Sequence, residues 1–414
     1  MTRRNLRITI LALNYSPEPT GNAPYTASLA EGLAARGHSV HVITGYPHYP
    51  EWSLTKGYSG WARSEVINNV QVRRLRHRIP SSPNAFARLH MELSFGVRLL
   101  FARWHRPDVV LVVSPALFSS AMAMLRVHLL PNRPALGIWV QDLYSRGVIE
   151  TGTGGGVLAR FSNAVESLIL RSADGVVAIH SRFKHHMINS LKVTAADVNV
   201  IRNWTHLPPS PNSNRDETRV RLGWGPAEIV VLHAGNMGKK QGLENVVSAA
   251  RLAEEQGSSV RFVLMGDGNQ RRDLKVMAAN LKHLQFVPPL PGREFMEALA
   301  AADILLVNEL PGVRDMAVPS KLTSYFNAGV PVLAATDEGS VTAGELAVSK
   351  AGIRVDAANP QALLDAANGI WGDKVAANAM GSRGLAFRYE TLSESAAISH
   401  YDDFITSLAS SRAR

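Results

Sequence analysis

Residues 6–44, LRITILALNYSPEPTGNAPYTASLAEGLAARGHSVHVIT, contain two short apolar runs separated by a segment of helical length. The runs LRITILAL and HSVHVIT are typical of buried strands, and the segment from about Tyr25 to Arg36 has a helical pattern. A strand, a helix and a second strand in this order form a unit in which the two strands are parallel. The opening of the chain therefore predicts a parallel sheet covered by helices.

The same alternation continues along the chain. Further apolar runs are PDVVLVVS, RPALGIWVQD, ADGVVAIHS and VNVIRNW, then EIVVLHAG, VRFVLMGDG, ADILLVNE and GVPVLAA. Between the two series lies THLPPSPNSN, a polar, proline-rich stretch of linker composition. Because 414 residues exceed the usual size of one core, we predict two α/β domains, each a doubly wound parallel sheet. Their bounds are 1–205 and 206–380, and a helical segment, 381–414, is expected to pack back on the first domain.

Positive charge is concentrated in the first half of the chain. Residues 1–200 contain 22 Lys and Arg against 11 Asp and Glu, whereas residues 201–414 contain 22 against 23. Aromatic residues are interleaved with the basic cluster, whose main members are Arg73, Arg74, Arg76, Arg78, Arg88, Arg98, Arg103 and Arg106. This combination favours an anionic membrane surface as a partner. A solvated face without special function is the alternative, and no nucleic-acid-binding motif accompanies the charge.

Composition also bounds the compartment. The chain has no cysteine, which excludes disulfides, thiolate metal sites and a cysteine nucleophile. The N-terminal apolar run, residues 8–13, is too short for a secretory signal. The longest charge-free apolar segment, residues 109–125, is split by Ser114-Pro115 and is shorter than the ~20 residues that span a bilayer. We expect a cytoplasmic protein that associates peripherally with the inner face of the membrane.

Polar residues follow the first two predicted strands, at the edge where parallel sheets bind ligands. Gly21 and Asn22 precede the first helix, and they either approach a substrate anion or shape a turn. The loop after the second strand either contacts a sugar or is anchored by aromatic packing. Its candidate residues are His48, Tyr49, Glu51 and Trp52.

A third candidate position follows the strand that ends in IWV. Gln141 and Asp142 stand there, where a polar catalytic group is usual in parallel sheets. A carboxylate at this position serves as a general base, as a ligand of a substrate hydroxyl or as a helix cap. The spacing alone leaves these three roles open.

The second domain offers candidates for binding phosphate. HAGNMGKKQGLENVV places Gly235, Asn236, Lys239 and Lys240 between a strand and a helix, where amides, helix dipole and cations favour the same anion. It lacks the residue order of a Walker loop. Gly266 lies in LMGDG, a turn after the next strand, and VPSKLTSYFNAGVPVLAA begins a helix at Ser320, Lys321 and Leu322. Together these loops predict a diphosphate site.

The chain resembles glycosyltransferase family 4 of the GT-B type, and within it the colanic-acid and related exopolysaccharide enzymes. The resemblance covers nearly the whole chain and rests on motifs that occur in the family's order: NYSPEPTGNAPYTASLAEGLAARGHSVHVITGYPHYPEW, WVQDLYSRG, IRNW, HAGNMGKKQGL, VLMGDG and VPSKLTSYFNAGVPVLA. It implies two Rossmann-like domains that face a cleft. It also implies a retaining transferase that moves a sugar from a nucleotide-diphosphate sugar to a polyprenyl-diphosphate-linked glycan, without a metal or another cofactor.

Roles carried over from the family fall on matching positions. Thr20, Gly21 and Asn22 correspond to a glycine loop near the donor phosphate and the acceptor. Gln141-Asp142 stands where relatives often carry His-Asp, so Asp142 becomes the residue expected to touch the transferred sugar, with Gln141 beside it.

Three departures from the family concern the donor. Asn236 and Gln241 replace the usual arginine and lysine of the phosphate loop, which assigns the cationic work to Lys239 or Lys240, the latter in a catalytic role. Ser324 replaces the glutamate that binds the ribose, and Asp315 is the nearest acid to the position of the other family glutamate. A hydroxyl gives a weaker hydrogen bond than a carboxylate.

Two other functions remain open. A sugar-nucleotide epimerase of the same fold would consume donor without an acceptor. A non-catalytic module that binds a sugar nucleotide or a lipid would keep the fold and show no turnover.

Overall fold

The computed structural model describes residues 5–19, 21–49, 51–81, 85–114, 116–143, 156–205, 214–313 and 320–412. The chain divides into two compact units: Met1–Asn203 with Glu394–Arg414, and Trp204–Ser393. We refer to them as the N-terminal unit and the C-terminal unit. Within the described ranges, no helix combines the length and the apolar character needed to cross a membrane.

The N-terminal unit is built on an eight-stranded sheet of order β3-β4-β2-β1-β5-β6-β7-β8. Every neighbouring pair is parallel except β3 and β4, which form an antiparallel hairpin. Its elements are β1 (Arg7–Ala12), α1 (Ala23–Ala35), β2 (Ser39–Gly45), β3 (Ala62–Ile67), β4 (Val70–Leu75), α2 (Ala85–Phe101), β5 (Val109–Ser114), α3 (Leu117–Leu129), β6 (Ala135–Val140), α4 (Gly156–Arg171), β7 (Gly175–Ala178), α5 (Ser181–Asn189) and β8 (Val198–Val200).

The C-terminal unit contains a six-stranded parallel sheet of order β11-β10-β9-β12-β13-β14. Its elements are α6 (Arg215–Leu222), β9 (Ile229–Ala234), α7 (Glu244–Glu255), β10 (Val260–Met265), α8 (Arg271–Met277), β11 (Leu284–Val287), α9 (Gly292–Ala301), β12 (Ile304–Asn308), α10 (Ser320–Ala328), β13 (Val332–Ala335), α11 (Val341–Ser349), β14 (Gly352–Val355), α12 (Pro360–Gly372) and α13 (Lys374–Glu390). Successive residues Val231 and Leu232 belong to separate hydrophobic clusters. Helices cover both faces, which explains why the strands read as continuous apolar runs.

The C-terminal helical segment divides at Ser393, so the predicted division at residue 381 is wrong. Helix α13 stays in the C-terminal unit, where a Cβ on Gly381 would lie 2.1 Å from the carbonyl oxygen of Gly329. Only the last helix, α14 (Glu394–Arg412), belongs to the N-terminal unit. The sequence shows a helical pattern through both helices and therefore does not mark the point where they part. The other passage between units, after Asn203, lies two residues before the predicted boundary.

Helix α14 completes the N-terminal unit. The rings and methyls of Phe404 and Leu408 pack directly on Gly137 of β6 and Gly175 of β7, where side chains would clash. Asp402 is fully buried and lies 2.9 Å from Nε2 of His38. These contacts agree with the expectation that the chain's end packs back on the first domain.

Candidate active site

Two glycine loops lie against each other at the carboxyl edge of the C-terminal sheet. Gly235 follows β9 with φ of +129°, and Gly266 follows β10 with φ of +138°. A Cβ on Gly266 would lie 1.9 Å from the carbonyl oxygen of Gly235. Both the backbone angle and the contact require glycine. Gly266, predicted to bind the donor, therefore has a structural role in holding the two loops together.

The amides of these loops are largely used within the loops. Three of them donate to neighbouring acceptors: Gly235 N to Met265 O at 2.8 Å, Met237 N to Asp267 O at 2.8 Å, and Gly238 N to Gln241 Oε1 at 3.0 Å. The expectation that glycine amides bind a phosphate is not met at these positions. Cationic side chains at this edge are further candidates for binding an anion.

Lys321 lies close to the glycine loops. It lies in the first turn of α10, and its Cε is 3.9 Å from where a Cβ on Gly235 would stand. Its Nζ lies 3.4 Å from Nε2 of His233, a fully buried residue of β9. Burial lowers the pKa of Lys321 to about 8, and the carboxylate of Glu309 opposes that shift. The structure therefore places this predicted donor residue beside the predicted glycine loop.

His233 was not predicted as a site residue. Burial, together with the nearby charge of Lys321, lowers its pKa well below the usual range, so the imidazole is neutral. A neutral ring nitrogen can accept a hydrogen bond from an ammonium group. His233 thus lies beside the lysine without adding a second positive charge, and its Nε2 also lies 3.5 Å from the carbonyl oxygen of Asn236. The signal in the sequence was a histidine just before the end of an otherwise apolar strand, IVVLHA.

Glu309 is a second residue that sequence reasoning missed. It follows β12 directly, and its carboxylate accepts hydrogen bonds from the hydroxyls of Thr336 and Thr342, the latter at 2.6 Å. Its charge opposes the fall in the pKa of Lys321. The acid at the end of ILLVNE was a signal for this position, since ligand-binding groups follow buried parallel strands.

The two lysines of the predicted phosphate loop are exposed and lie on a turn whose backbone is held by hydrogen bonds. Lys239 and Lys240 belong to a 3-10 turn, Lys239–Gln241. Nδ2 of Asn308 donates to the carbonyl oxygens of Gln241 and Gly242 at 2.7 and 2.9 Å. The backbone is fixed while the lysine side chains reach solvent. Gln241 has a structural role, because its side chain folds back on the turn instead of facing a ligand.

The other predicted donor residues are placed less uniformly. Asn236 is exposed beside the glycine loops. Leu322 is fully buried in the core, so only its backbone could face a ligand, and Ser324 is partly buried on α10. Ser320 begins α10, and Asp315 lies outside the described residues.

In the N-terminal unit, Glu18 organises the edge of the sheet. Its Oε1 accepts hydrogen bonds from the amides of His48 and Tyr49, both at 2.9 Å, and its Oε2 accepts from the amide of Tyr15 at 3.2 Å. The side chain is only 2% exposed. A buried carboxylate needs such donors, and here they come from the loops after β1 and β2. Sequence reasoning missed Glu18, although it stands in the quoted loop NYSPEP.

His48 supports the loop after β2 from within. It is 2% exposed, its Nδ1 lies 3.0 Å from the carbonyl oxygen of Tyr46, and its ring packs edge-on against His77 and Trp52. Burial lowers the pKa of His77 to about 3, so that ring is neutral. The prediction that His48 contacts a sugar is therefore corrected. The competing interpretation, a loop anchored by aromatic packing, describes this residue.

The remaining residues of this edge are more accessible. Tyr49 and Trp52 are partly exposed and Glu51 is exposed. The Tyr49 ring lies 3.8 Å from where a Cβ on Gly21 would stand, so the two loops meet. Asn22 precedes α1 without a side-chain capping bond. Thr20 lies outside the described residues.

Gln141 and Asp142 differ in accessibility. Gln141 is buried, and its Oε1 accepts a hydrogen bond from Nδ2 of Asn203 at 2.7 Å. Asp142 is exposed, and its Oδ1 accepts from the amide of Leu143 at 2.8 Å. Of these two predicted catalytic residues, only Asp142 is exposed. Gln141 ties the end of β6 to the last residue of Met1–Asn203.

Two domain families match this chain. Residues 20–204 match the glycosyl transferase 4-like domain, and residues 214–386 match the glycosyl transferases group 1. The protein named "Putative colanic acid biosynthesis glycosyl transferase WcaI" of Escherichia coli K12 is 32% identical over 364 residues, which cover 84% of this chain and 88% of that protein. The "Probable glycosyltransferase WbjE" of Pseudomonas aeruginosa is 28% identical over 61% of this chain and 63% of its own length.

Solved structures with the same fold are distant in sequence. Sucrose-phosphate synthase of Thermosynechococcus elongatus has a TM-score of 0.71 at 16% identity, over 98% of this chain and 100% of that chain. Anabaena HepE in complex with UDP gives 0.71 at 14% identity, over 97% and 100%. WaaG, a glycosyltransferase involved in lipopolysaccharide biosynthesis, gives 0.64 at 16% identity, over 96% and 99%. These findings confirm the predicted fold class and family: the chain is a glycosyltransferase of family 4 with the GT-B fold.

Proposed function

We propose that this glycosyltransferase moves a sugar from a nucleotide-diphosphate sugar to a polyprenyl-diphosphate-linked glycan, with retention, in the synthesis of an exopolysaccharide or another cell-surface glycan. The observation that carries the donor half is Lys321 beside the glycine loop at the carboxyl edge of the C-terminal sheet. Similar folds contain UDP or UDP-glucose, which supports a nucleotide-sugar donor. The similarity to WcaI supports a surface glycan as product.

In this proposal the C-terminal unit stabilises the leaving diphosphate. Charge develops on the phosphate as the glycosidic bond breaks, and Lys321 with Lys239 and Lys240 would bind that charge more strongly in the transition state than in the ground state. Because three lysines serve this purpose, we propose that transfer needs no metal. Activity that survives exhaustive EDTA treatment would support this point, and activity restored only by Mg²⁺ or Mn²⁺ would refute it.

The N-terminal unit would bind the acceptor. Tyr49, Glu51 and Trp52 offer an aromatic and polar edge for a sugar, and Asp142 offers a carboxylate to a sugar hydroxyl. In a retaining transfer of this kind, the acceptor hydroxyl attacks from the leaving-group face and the departing phosphate takes its proton. No enzyme nucleophile is required, so Asp142 would bind and orient rather than attack.

The first experiment is a thermal-shift screen against UDP, GDP, ADP and their common sugars, with Lys240→Ala beside the parent chain. A ligand at about 100 times its Kd stabilises the folded state by roughly 2.7 kcal/mol. Stabilisation by one nucleotide that is weakened in the variant supports the donor site and identifies the base. Absence of any shift would count against it.

A turnover assay separates the proposal from its rivals. Donor consumed only in the presence of a lipid-linked glycan, with the anomeric configuration of the product determined by NMR, supports retaining transfer. Conversion of donor without acceptor would indicate an epimerase. Nucleotide binding with no turnover under any condition would indicate a non-catalytic module.

We also propose that the N-terminal unit associates peripherally with an anionic membrane. Phe86 and Phe101 of α2 are 75% and 85% exposed, and the same helix carries Arg88 and Arg98. Exposed aromatics with nearby cations favour binding to anionic lipid. Co-sedimentation should be stronger with phosphatidylglycerol vesicles than with phosphatidylcholine vesicles and should weaken with salt. Equal binding to both would refute this part.

A further inference from the structure

A groove in the N-terminal unit lies between helix α2 and the β3–β4 hairpin. Its volume is about 710 Å³. The guanidinium of Arg98 on α2 lies 4.6 Å from the ring centroid of Trp61, the residue before β3, so a cation–π contact joins the two walls. The hairpin lies at the edge of the sheet, and among the described residues β3 is the outermost strand on that side.

The walls of the groove are apolar and partly open to solvent. Trp61 is 73% exposed, Val97 is 45% exposed and Phe101 is 85% exposed, and all three line the groove. Exposed apolar side chains that cluster around a concave surface mark a place where a ligand or partner is bound. These side chains can bury the chain of a lipid.

Positive charge lies among these apolar groups. Arg73, Arg98 and His90 line the groove, and none of the described residues that line it is an acid. Nε of Arg73 is buried and, within the described part of the chain, has no hydrogen-bond partner. A buried donor without an acceptor is costly, and an anion in the groove would satisfy it. Apolar walls together with cationic side chains and the unpaired Nε of Arg73 fit an amphiphile that carries an anionic group.

We propose that this groove binds one molecule of a long-chain lipid diphosphate, with its apolar chain against Trp61, Val97 and Phe101 and its diphosphate at Arg73 and Arg98. The volume lies within the ~300–1,000 Å³ of single-ligand pockets, so it suits one molecule rather than a bilayer surface. The inference rests on the proposed function, because the lipid would be the carrier portion of the acceptor.

Helix α2 links the groove to the loop after β2, which carries the residues proposed to bind the acceptor sugar. The guanidinium of Arg88, two residues before His90, lies 5.3 Å from the ring centroid of Trp52. On the same helix, Phe95 packs edge-on against His77, which in turn contacts His48. A lipid held along α2 would therefore lie on the helix that also supports the proposed sugar-binding loop.

Equilibrium dialysis with farnesyl diphosphate tests the proposal. It is done with a saturating amount of whichever nucleoside diphosphate stabilises the protein, so that the donor site is filled. We expect farnesyl diphosphate to bind. Farnesol alone, or inorganic pyrophosphate alone, should compete for the same groove at least tenfold more weakly than farnesyl diphosphate itself. Val97→Glu and Arg98→Gln should each weaken binding about tenfold or more, while the thermal shift by the nucleotide stays unchanged.

The matched control is Leu129→Glu on α3, an exposed apolar position outside the groove. The proposal is overturned if Val97→Glu binds farnesyl diphosphate as tightly as the parent chain does. It is also overturned if Leu129→Glu loses as much affinity for farnesyl diphosphate as Val97→Glu. Phe101→Ala provides a second, milder variant if Val97→Glu does not fold. If dihexanoylphosphatidylglycerol binds as tightly as farnesyl diphosphate, the groove binds bilayer lipid. That result would overturn its assignment to the lipid diphosphate of the acceptor.

These outcomes are separate from those of the proposed function. If the protein transfers sugar but does not bind farnesyl diphosphate, only the proposal that the groove binds a lipid diphosphate is overturned. Lipid binding without transfer would leave the groove in place and refute the transferase mechanism.

Discussion

The carboxyl edges of the two sheets are organised around opposite charges. In the N-terminal unit a buried carboxylate, Glu18, gathers the amides of two loops. In the C-terminal unit the loop amides bond to one another, and a lysine, Lys321, lies beside them with a neutral histidine. Each arrangement uses the backbone for structure and leaves side chains to meet the ligand. The difference therefore predicts a neutral, hydroxyl-rich ligand at the first edge and an anion at the second.

The strongest way to break this contrast is to separate the glycine loops. In Gly266→Ala the new Cβ would overlap the carbonyl of Gly235 at a φ of +138°, and we expect a loss of more than about 4 kcal/mol in unfolding free energy. Gly369→Ala is the control, because this glycine lies in α12 with open space around it and should gain ~0.5–1 kcal/mol. Urea unfolding measures both, and equal stability of the two variants would contradict this account of the loops.

Removing the cation should abolish the anion preference of the C-terminal edge. Lys321→Met is expected to weaken nucleoside diphosphate binding roughly 100-fold, since a partly buried charge pair is lost. Lys239→Met, which removes an exposed lysine, should cost only about threefold. Isothermal titration calorimetry measures the Kd of each variant for the nucleoside diphosphate, under conditions in which both variants are folded. If the exposed lysine proves the more important, the assignment of Lys321 fails.

The same lysine should make donor binding depend on pH. Burial lowers the pKa of Lys321 to about 8 in the free protein, so the ammonium is present below pH 8 and is lost as the pH rises through it. A bound diphosphate favours the protonated form, and the Kd should therefore increase roughly tenfold between pH 7 and pH 9. Lys321→Arg, which stays charged, should remove the dependence. A flat profile in the parent chain would show that this group does not meet the phosphate.

Neutralising the carboxylate sharpens the other side of the comparison. Glu18→Gln keeps the size but loses the charge, and we expect about 2 kcal/mol less stability and an acceptor KM raised several-fold, with donor Kd unchanged. Glu51→Gln, at an exposed position of the loop after β2, should alter KM without altering stability. Thermal unfolding and steady-state kinetics together distinguish the positioning role expected of Glu18 from the direct contact with the acceptor expected of Glu51. Donor binding that falls with Glu18→Gln would contradict the division of labour.

The architecture followed from short-range patterns. Apolar runs such as EIVVLHAG marked strands, and the proline-rich stretch after IRNW marked the first passage between units within two residues. The carboxyl ends of those runs also gave the edges where most candidate residues lie. Period and composition suffice for this level because a parallel sheet buries its strands on both faces.

The chemistry of the edges did not follow in the same way. Lys321 and His233 are 88 residues apart in sequence, and the use of glycine amides within the loops depends on how two loops pack. Burial decided which polar residues face outward: Asp142 does, whereas Gln141 and His48 do not. Sequence position alone treats neighbours such as Gln141 and Asp142 alike, so only tertiary packing separates them.

The passage of the chain out of the N-terminal unit and back has a consequence for its synthesis. Asp402, which contacts His38 and Arg36, is synthesised more than 360 residues after these two partners. More than 200 residues separate Asn203 from the end of the chain, and at ~5–20 residues per second their translation takes on the order of 10 to 40 seconds. Throughout that interval the faces of β6 and β7 that Phe404 and Leu408 will cover stay open. The N-terminal unit is therefore completed after the C-terminal unit, and a nascent chain arrested before residue 394 would hold all eight N-terminal strands without the helix that covers β6 and β7.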